Sequence, residues 1–193
     1  MRIPLFPLNT VLFPGGPLPL RIFETRYIDM ISERLQKEAP FGVLLIRDGQ
    51  ETGPASTYDV GTLARITDWY QGSDGLLGVT AIGEQRFRLL TAERQADGLN
   101  VGNVELLPDE QPLPLPEEYK AMAEILEGVL DDLGRLYEAL PRHYQDAGWV
   151  TMRFIEILPL ELEQKQRCLE EGDATARLRL VVQLLDSVKG PTE

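Results

Sequence analysis

The stretch Ile3-Pro4-Leu5-Phe6-Pro7-Leu8, continued by Leu12-Phe13-Pro14-Gly15-Gly16-Pro17-Leu18-Pro19-Leu20 and then Arg21-Ile22-Phe23-Glu24-Thr25-Arg26-Tyr27, decides the fold class. Prolines at this spacing allow only short extended pieces, yet the apolar residues between them still have to be buried. The run reads as two brief strands joined by a Pro-Gly turn, with a helix beginning near Glu24. In that helix Tyr27, Ile28, Ile31 and Leu35 recur at helical spacing up to Lys37, and Pro40 closes it.

Strand signals dominate the next seventy residues. Phe41 to Ile46 is an apolar run of strand length. Val60 to Trp69 and Leu76 to Ile82 form a hairpin around the polar tip Tyr70-Gln71-Gly72-Ser73-Asp74-Gly75. Gly83 is expected to allow a sharp reversal into Arg86–Leu90, where apolar and basic residues alternate, and Leu99–Leu107 supplies the last strand. Many short strands with one helix predict a small, partly closed barrel.

The composition changes at Pro108-Asp109-Glu110-Gln111-Pro112-Leu113-Pro114-Leu115-Pro116, where closely spaced prolines favour an extended, semi-rigid connector. The expected organisation is a β-rich lobe over 1–107, a connector over 108–116 and a helical lobe over 117–193. In the helical lobe, Met122, Ile125, Leu126, Val129, Leu130, Leu133 and Leu136 line one face of a helix ended by Pro141. A second helix runs from near Asp146 to before Pro159, and a third spans Glu161–Glu171. The fourth is capped by Asp173 and carries the stripe Leu178, Val181, Val182, Leu185 and Val188.

Composition removes several classes of function. A formal charge of −12 over 193 residues disfavours nucleic acid and anionic membranes, since both are held by Lys and Arg. The excess is concentrated late: residues 1–104 hold 10 basic and 12 acidic side chains, the remainder 9 and 19. Cys168 is the single cysteine, so an internal disulfide and a Cys-only zinc site are excluded and a cytoplasmic setting is expected. Neither a signal-peptide h-region nor a run approaching roughly 18 apolar residues is present.

No catalytic constellation emerges. Nothing matches a phosphate loop, and no lysine follows a glycine. His143 is the one imidazole and falls in an interhelical loop; Cys168 reads as a buried, inert thiol. Asp131-Asp132, Glu117-Glu118 and Glu170-Glu171 read as solvated helix faces or first-turn charges. Ser187 and Lys189, two residues apart, face different sides of a helix. The expected catalytic, cofactor and metal sites are therefore none. Arg21, between Leu20 and Ile22, is expected to pair with Glu24 or another carboxylate, and Trp149 to anchor the core of the second lobe. What stands out is apolar surface without an obvious core duty: Trp69 and Tyr70 at the hairpin tip, and Phe13 and Leu18 around Pro14-Gly15-Gly16-Pro17. These four are the candidate peptide-binding residues; the alternative is that Trp69 covers the barrel mouth and that Phe13 and Leu18 pack beneath the bundle.

The Pro-Leu-Phe-Pro-Leu opening, Leu20–Tyr27, Gly61-Thr62-Leu63-Ala64-Arg65-Ile66, Asp74-Gly75-Leu76-Leu77, Gly83-Glu84-Gln85-Arg86-Phe87, Asp146-Ala147-Gly148-Trp149-Val150 and Ile157-Leu158-Pro159-Leu160 together resemble the N-terminal, substrate-binding domain of Lon-type ATP-dependent proteases, in particular its short, free-standing bacterial members. The resemblance implies an α+β fold: an N-terminal PUA-like β pseudobarrel with one helix, then a C-terminal α-helical bundle lobe. It also implies recognition of polypeptide; the expected mode toward unfolded or extended segments of other proteins is strand addition to a barrel edge and docking of side chains into a groove between the lobes. A protease system encoded elsewhere would be the further partner, because the ATPase and Ser-Lys protease modules of that family follow the substrate-binding region and are not expected in this sequence. The competing readings are a hydrolase built on His143 or a carboxylate pair, and an RNA-binding PUA-like protein. Limited proteolysis is expected to nick the chain first between Leu107 and Leu115, and equal cleavage throughout both halves would misplace the boundary.

Overall fold

Alternate side chains of β1 (Arg2–Leu8) enter different cores. Ile3 and Leu5 pack with Leu44, Leu63, Phe87 and Val104. Phe6 and Leu8 pack with Tyr27, Met30 and Ile31 of helix α1 (Thr25–Lys37). Burial on both faces is why the opening reads as a nearly unbroken apolar run. The computed structural model describes residues 1–138 and 140–188, in two compact units, Met1–Asp109 and Glu110–Glu193.

In the first unit, β1 is followed by β2 (Pro17–Ile22), α1, β3 (Phe41–Gly49), β4 (Ala55–Thr57), β5 (Val60–Gln71), β6 (Leu77–Arg94) and β7 (Asn100–Leu106). Antiparallel neighbours run β1-β7-β6-β5-β3, and β1 also pairs in parallel with β3 at Leu5↔Gly42 through Leu8↔Leu45. That last pairing closes a five-stranded ring, with β4 added to β3 and β2 added to β6. The interior holds Phe87, fully buried, because Gly42 and Gly61 leave room for its ring: a Cβ at either would lie 2.9 Å from Phe87 Cζ.

β6 corrects one expectation. It continues through Gly83 without reversing, and glycine is required there because the Phe13 carbonyl lies against the position a Cβ would take. Gly15 N donates to Gly83 O at 2.7 Å and Gly83 N to Gly16 O at 2.9 Å, which fastens the proline-rich loop to β6.

The second unit has a 3-10 turn (Glu117–Tyr119), α2 (Lys120–Asp132), α3 (Arg135–Glu138), α4 (Ala147–Ile157), α5 (Leu162–Glu170) and α6 (Ala174–Val188). The single helix expected up to Pro141 is broken at Gly134, whose φ of 63° is left-handed. Of its expected apolar face, Leu126 and Leu130 are buried with Ala123, whereas Ile125, Leu133 and Leu136 are exposed. Those residues spread over more of the helix circumference than one packing surface covers. Asp146 caps α4 by accepting from Gly148 N at 2.7 Å, and Asp173 Oδ1 caps α6 by accepting from Thr175 N at 2.7 Å. The connector is pinned at its far end, where Leu115 N donates to Gln145 O and Ala147 N to Leu113 O, both at 2.8 Å. Cleavage by proteases is therefore expected at its earlier residues, before Leu113. Lys189 and the side chains of Ser187 and Val188 lie outside the described residues.

Polar groups staple this unit from within. Arg177, fully buried, grips both carboxylate oxygens of Glu110 and donates to Glu171 O at 3.0 Å and Thr151 Oγ1 at 3.2 Å. Arg153 holds Glu156 at 2.7 Å, and burial pushes the Glu156 carboxyl up to about 7 against that pull.

Gly61→Ala tests barrel closure. Its methyl would meet Leu44 Cδ2 at 2.7 Å and Phe87 Cζ at 2.9 Å, whereas a methyl at Gly53 meets nothing. Chemical denaturation is expected to show Gly61→Ala destabilising by about 2–3 kcal/mol and Gly53→Ala changing stability by less than about 0.5 kcal/mol.

Candidate functional site

Beyond the closed ring, the first half of β6 carries β2 on one side and the distal half of β5 on the other, as rows of opposed residues: Leu18, Ala81, Ile66; Leu20, Val79, Trp69; Arg21, Gly78, Tyr70. The Gly83 N to Gly16 O bond fixes which backbone groups of β2 face β6. In an antiparallel ladder these alternate, so Leu18, Leu20 and Ile22 bond to β6 and Pro17, Pro19 and Arg21 face the outer edge. The two prolines offer carbonyls there but no N–H.

Alongside β2 lies a groove of about 390 Å³. Leu18, Leu20 and Ile22 form one wall, Phe6, Leu8 and Tyr27 the floor, and Phe23, Glu24 and Glu51 the mouth. Phe23 is 60% exposed, as only a few large apolar side chains of this chain are. Phe6 and Tyr27 stack with ring centroids 3.9 Å apart. Arg26 holds the groove in shape: its Nε donates to Glu24 Oε2 at 2.9 Å, its Nη1 to Gly98 O at 2.6 Å and its Nη2 to Glu51 O at 3.3 Å. Burial pushes the Tyr27 phenol above its ordinary range, so it stays neutral at physiological pH.

The four sequence candidates separate. Leu18 is buried but lines the groove wall. Phe13 is completely buried, its loop fastened to β6, so it supports the site and cannot touch a ligand. Trp69 and Tyr70 are both more than half exposed, yet as consecutive strand residues they point to opposite faces. Trp69 stands at the open end of the row whose inner members, Leu20 and Val79, join the core, while the Tyr70 ring occupies space that Gly78 leaves free. The outward Trp69 N–H is already taken by Asp68 Oδ1 at 2.9 Å. Both free edges near the groove are thus poor templates for strand addition.

Sequence reasoning missed Phe23, Tyr27 and Arg26. Tyr27 was assigned to helix core, and the signal that singles out this place was a large aromatic, Phe23, immediately before the helix N-cap. Arg21 pairs with Asp74 across the hairpin tip. His143 is exposed, and Cys168 is buried with its thiol pushed up by that burial. Trp149 is half-buried, with Tyr144 edge-on at 5.1 Å, and so sits at the rim of its lobe's core. Among the described residues no cluster of three His, Cys, Asp or Glu could hold a metal, and no helix is long and apolar enough to cross a membrane.

The architecture is a strand-rich barrel unit with an apolar groove, and a helical unit after it in sequence. The family model for the ATP-dependent protease La (LON) substrate-binding domain matches residues 2–187, and the chain belongs to that family. It is 27% identical over 192 residues to Lon protease of Anaeromyxobacter dehalogenans (strain 2CP-C), covering 95% of this chain and 23% of that protein. It is 34% identical over 119 residues to protein cereblon of Xenopus tropicalis, covering 60% and 26%. The chain spans about a quarter of the length of these curated relatives. Among solved structures, a Lon N-terminal domain protein from Xanthomonas campestris matches at 34% identity and a TM-score of 0.78, covering 96% of this chain and 98% of that one. The N-terminal domain of Mycobacterium avium complex Lon protease shares the fold at 18% identity and a TM-score of 0.65, covering 95% and 97%.

Phe13→Ala is expected to cost about 3–5 kcal/mol and Trp69→Ala less than about 1 kcal/mol. Calorimetric melting of the two variants checks the division between support and exposed surface; equal losses would mean that Trp69 is a core residue.

Proposed function

We propose that this chain is a non-catalytic polypeptide-binding module that engages unfolded or extended segments of other proteins, works in the cytoplasm, and hands its clients to a protease system in another polypeptide. The observation that carries the reading is the groove beside β2: an apolar floor and wall, with an aromatic, Phe23, left exposed at its mouth. An aliphatic or aromatic client side chain gains about 25 cal/mol for each Å² of apolar surface it buries there. Leu18 belongs to the wall and Phe13 supports it, while Trp69 and Tyr70 offer further contacts outside it. Because Pro17 and Pro19 remove donors from the β2 edge and Asp68 caps the Trp69 N–H on β5, selection rests on side chains more than on backbone pairing. Neither nucleic acid nor a membrane is a partner in this reading, given the charge of −12.

Fluorescence anisotropy with a labelled unfolded casein fragment tests it. Phe23→Ala is expected to weaken binding about tenfold or more with little change in melting temperature, since exposed aromatic anchors dominate such contacts. The double variant Trp69→Ala with Tyr70→Ala should weaken it less. Unchanged affinity in Phe23→Ala would remove the groove from the reading. ATP hydrolysis or casein cleavage that vanishes on a single substitution in this chain would overturn its non-catalytic part.

A further inference from the structure

A second pocket, of about 440 Å³, opens between the last turn of α1 and β5, lined by Arg34, Leu35, Glu38, Ala39, Arg65 and Ile66. It shares no residue with the groove beside β2. Its two arginines come from positions 31 apart in sequence, and they are differently occupied. Arg34 is 13% exposed, and its Nη2 lies 3.0 Å from Glu33 Oε1. Glu33 is in turn held by Lys37 at 2.5 Å. The Arg34 Nε is buried and has no acceptor. Arg65 is 53% exposed and gives its Nε to Glu84 Oε1 at 2.6 Å, which leaves its terminal nitrogens without a hydrogen bond among the described residues.

An unpaired buried N–H is costly, and nearby acceptors are not available to relieve it. The carbonyls of Arg34 and Leu35 already accept from Ala39 N at 3.0 Å and Glu38 N at 3.3 Å. That closure is made by Glu38 itself, the one non-glycine residue at positive φ (49°) among the described residues. Glycine or asparagine is usual at such a helix end, and a glutamate held there carries backbone strain. The lining carries two guanidiniums and one carboxylate, and each guanidinium is already paired on one side, Arg34 with Glu33 and Arg65 with Glu84. Its remaining walls, Leu35, Ala39 and Ile66, are aliphatic.

We propose that this pocket binds a carboxylate carried on an aliphatic group, with the free terminal nitrogens of Arg65 as donors, the Arg34 guanidinium as the second positive charge, and Leu35, Ala39 and Ile66 as the apolar bed. A single negative charge suits it: a phosphate dianion would face Glu38, Glu33 and Glu84 and leave the aliphatic walls unused. Two sources carry this chemistry, the C-terminal residue of a polypeptide and a free aliphatic acid. The first would add a chain-end preference to the polypeptide-binding reading, and rests on it; the second stands without it.

Backbone amide shifts of Leu35, Ala39 and Ile66 in the isotope-labelled chain are the readout. The probes are N-acetyl-leucine, N-acetyl-leucinamide, and an N-acetylated pentapeptide ending in leucine, as free acid and as amide. Both acids are expected to give saturating shifts and both amides to bind about tenfold or more weaker, because the charged acceptor roughly doubles the strength of each hydrogen bond. Arg65→Gln, at an exposed position, should erase most of the acid-over-amide difference with an unchanged melting temperature, and Arg34→Gln should erase the rest. A pentapeptide acid tighter than N-acetyl-leucine identifies a chain terminus; equal affinities identify a free acid. Acid and amide binding alike, no saturating shift at these three amides, or an acid preference that survives Arg65→Gln would each overturn the proposal. The casein fragment, end-blocked, reports on the β2 groove separately, and its binding should be indifferent to Arg34→Gln.

Discussion

Closing five strands around one phenyl ring is the constraint from which the rest of the first unit follows. Phe87 is wholly buried, and its ring fits because residues 42 and 61, on facing strands, are glycines. A ring of five strands is tight, and its interior is filled by alternating one large side chain with absent ones. Closure requires β1 to pair with β3 in parallel as well as with β7, and its two faces enter different cores, so it must be apolar on both. β6 also runs beyond the part that pairs with β7. That extension, Leu77 to Ile82, pairs with the distal half of β5 and carries β2. The groove is lined by β2 on one side and by Tyr27 at the start of α1.

A projecting three-stranded extension with two free edges is an aggregation hazard. Here each edge is blunted by a different means. Pro17 and Pro19 remove donors from β2, and the Asp68 carboxylate occupies the Trp69 N–H on β5. The proline spacing that makes the opening segment distinctive in sequence thus has two consequences in space. It keeps the strands short, and it leaves an apolar groove beside an edge that cannot easily be extended. Repulsion between copies of charge −12 works in the same direction.

Local signals were legible and non-local ones were not. The span of α1, the β5–β6 hairpin, the start of α4 near Asp146 and the cap at Asp173 follow from spacing and side-chain chemistry within a few residues, and the structure has them. Gly83 misled because a glycine between strand patterns signals a turn as readily as a close backbone approach, and the approaching group, the Phe13 carbonyl, is 70 residues away. Phe13 stays open between surface and packing in the sequence for the same reason: a proline-rich loop gives no periodicity by which burial can be judged. The bond from Arg177 to Glu110 spans 67 residues and joins two charges that composition counts only as surface. The groove's aromatic, Phe23, was quoted in the deciding stretch but looked like one more strand residue.

Two arginines on α1 show how the same side chain serves stability and binding differently. Arg26 and Arg34 are both largely buried, at 7% and 13% side-chain exposure. Arg26 meets a carboxylate and two backbone carbonyls, so its desolvation is offset and it fixes three segments around the groove. Arg34 has a carboxylate at one terminal nitrogen and nothing at Nε. An unpaired buried donor costs about 1–3 kcal/mol, which a lysine reaching solvent or an aliphatic residue at position 34 would avoid. Folding alone therefore favours replacing Arg34 and keeping Arg26. The pocket that Arg34 lines, with its aliphatic bed, supplies in the proposal the reason that folding does not: the guanidinium is kept for an acid that arrives from outside the chain.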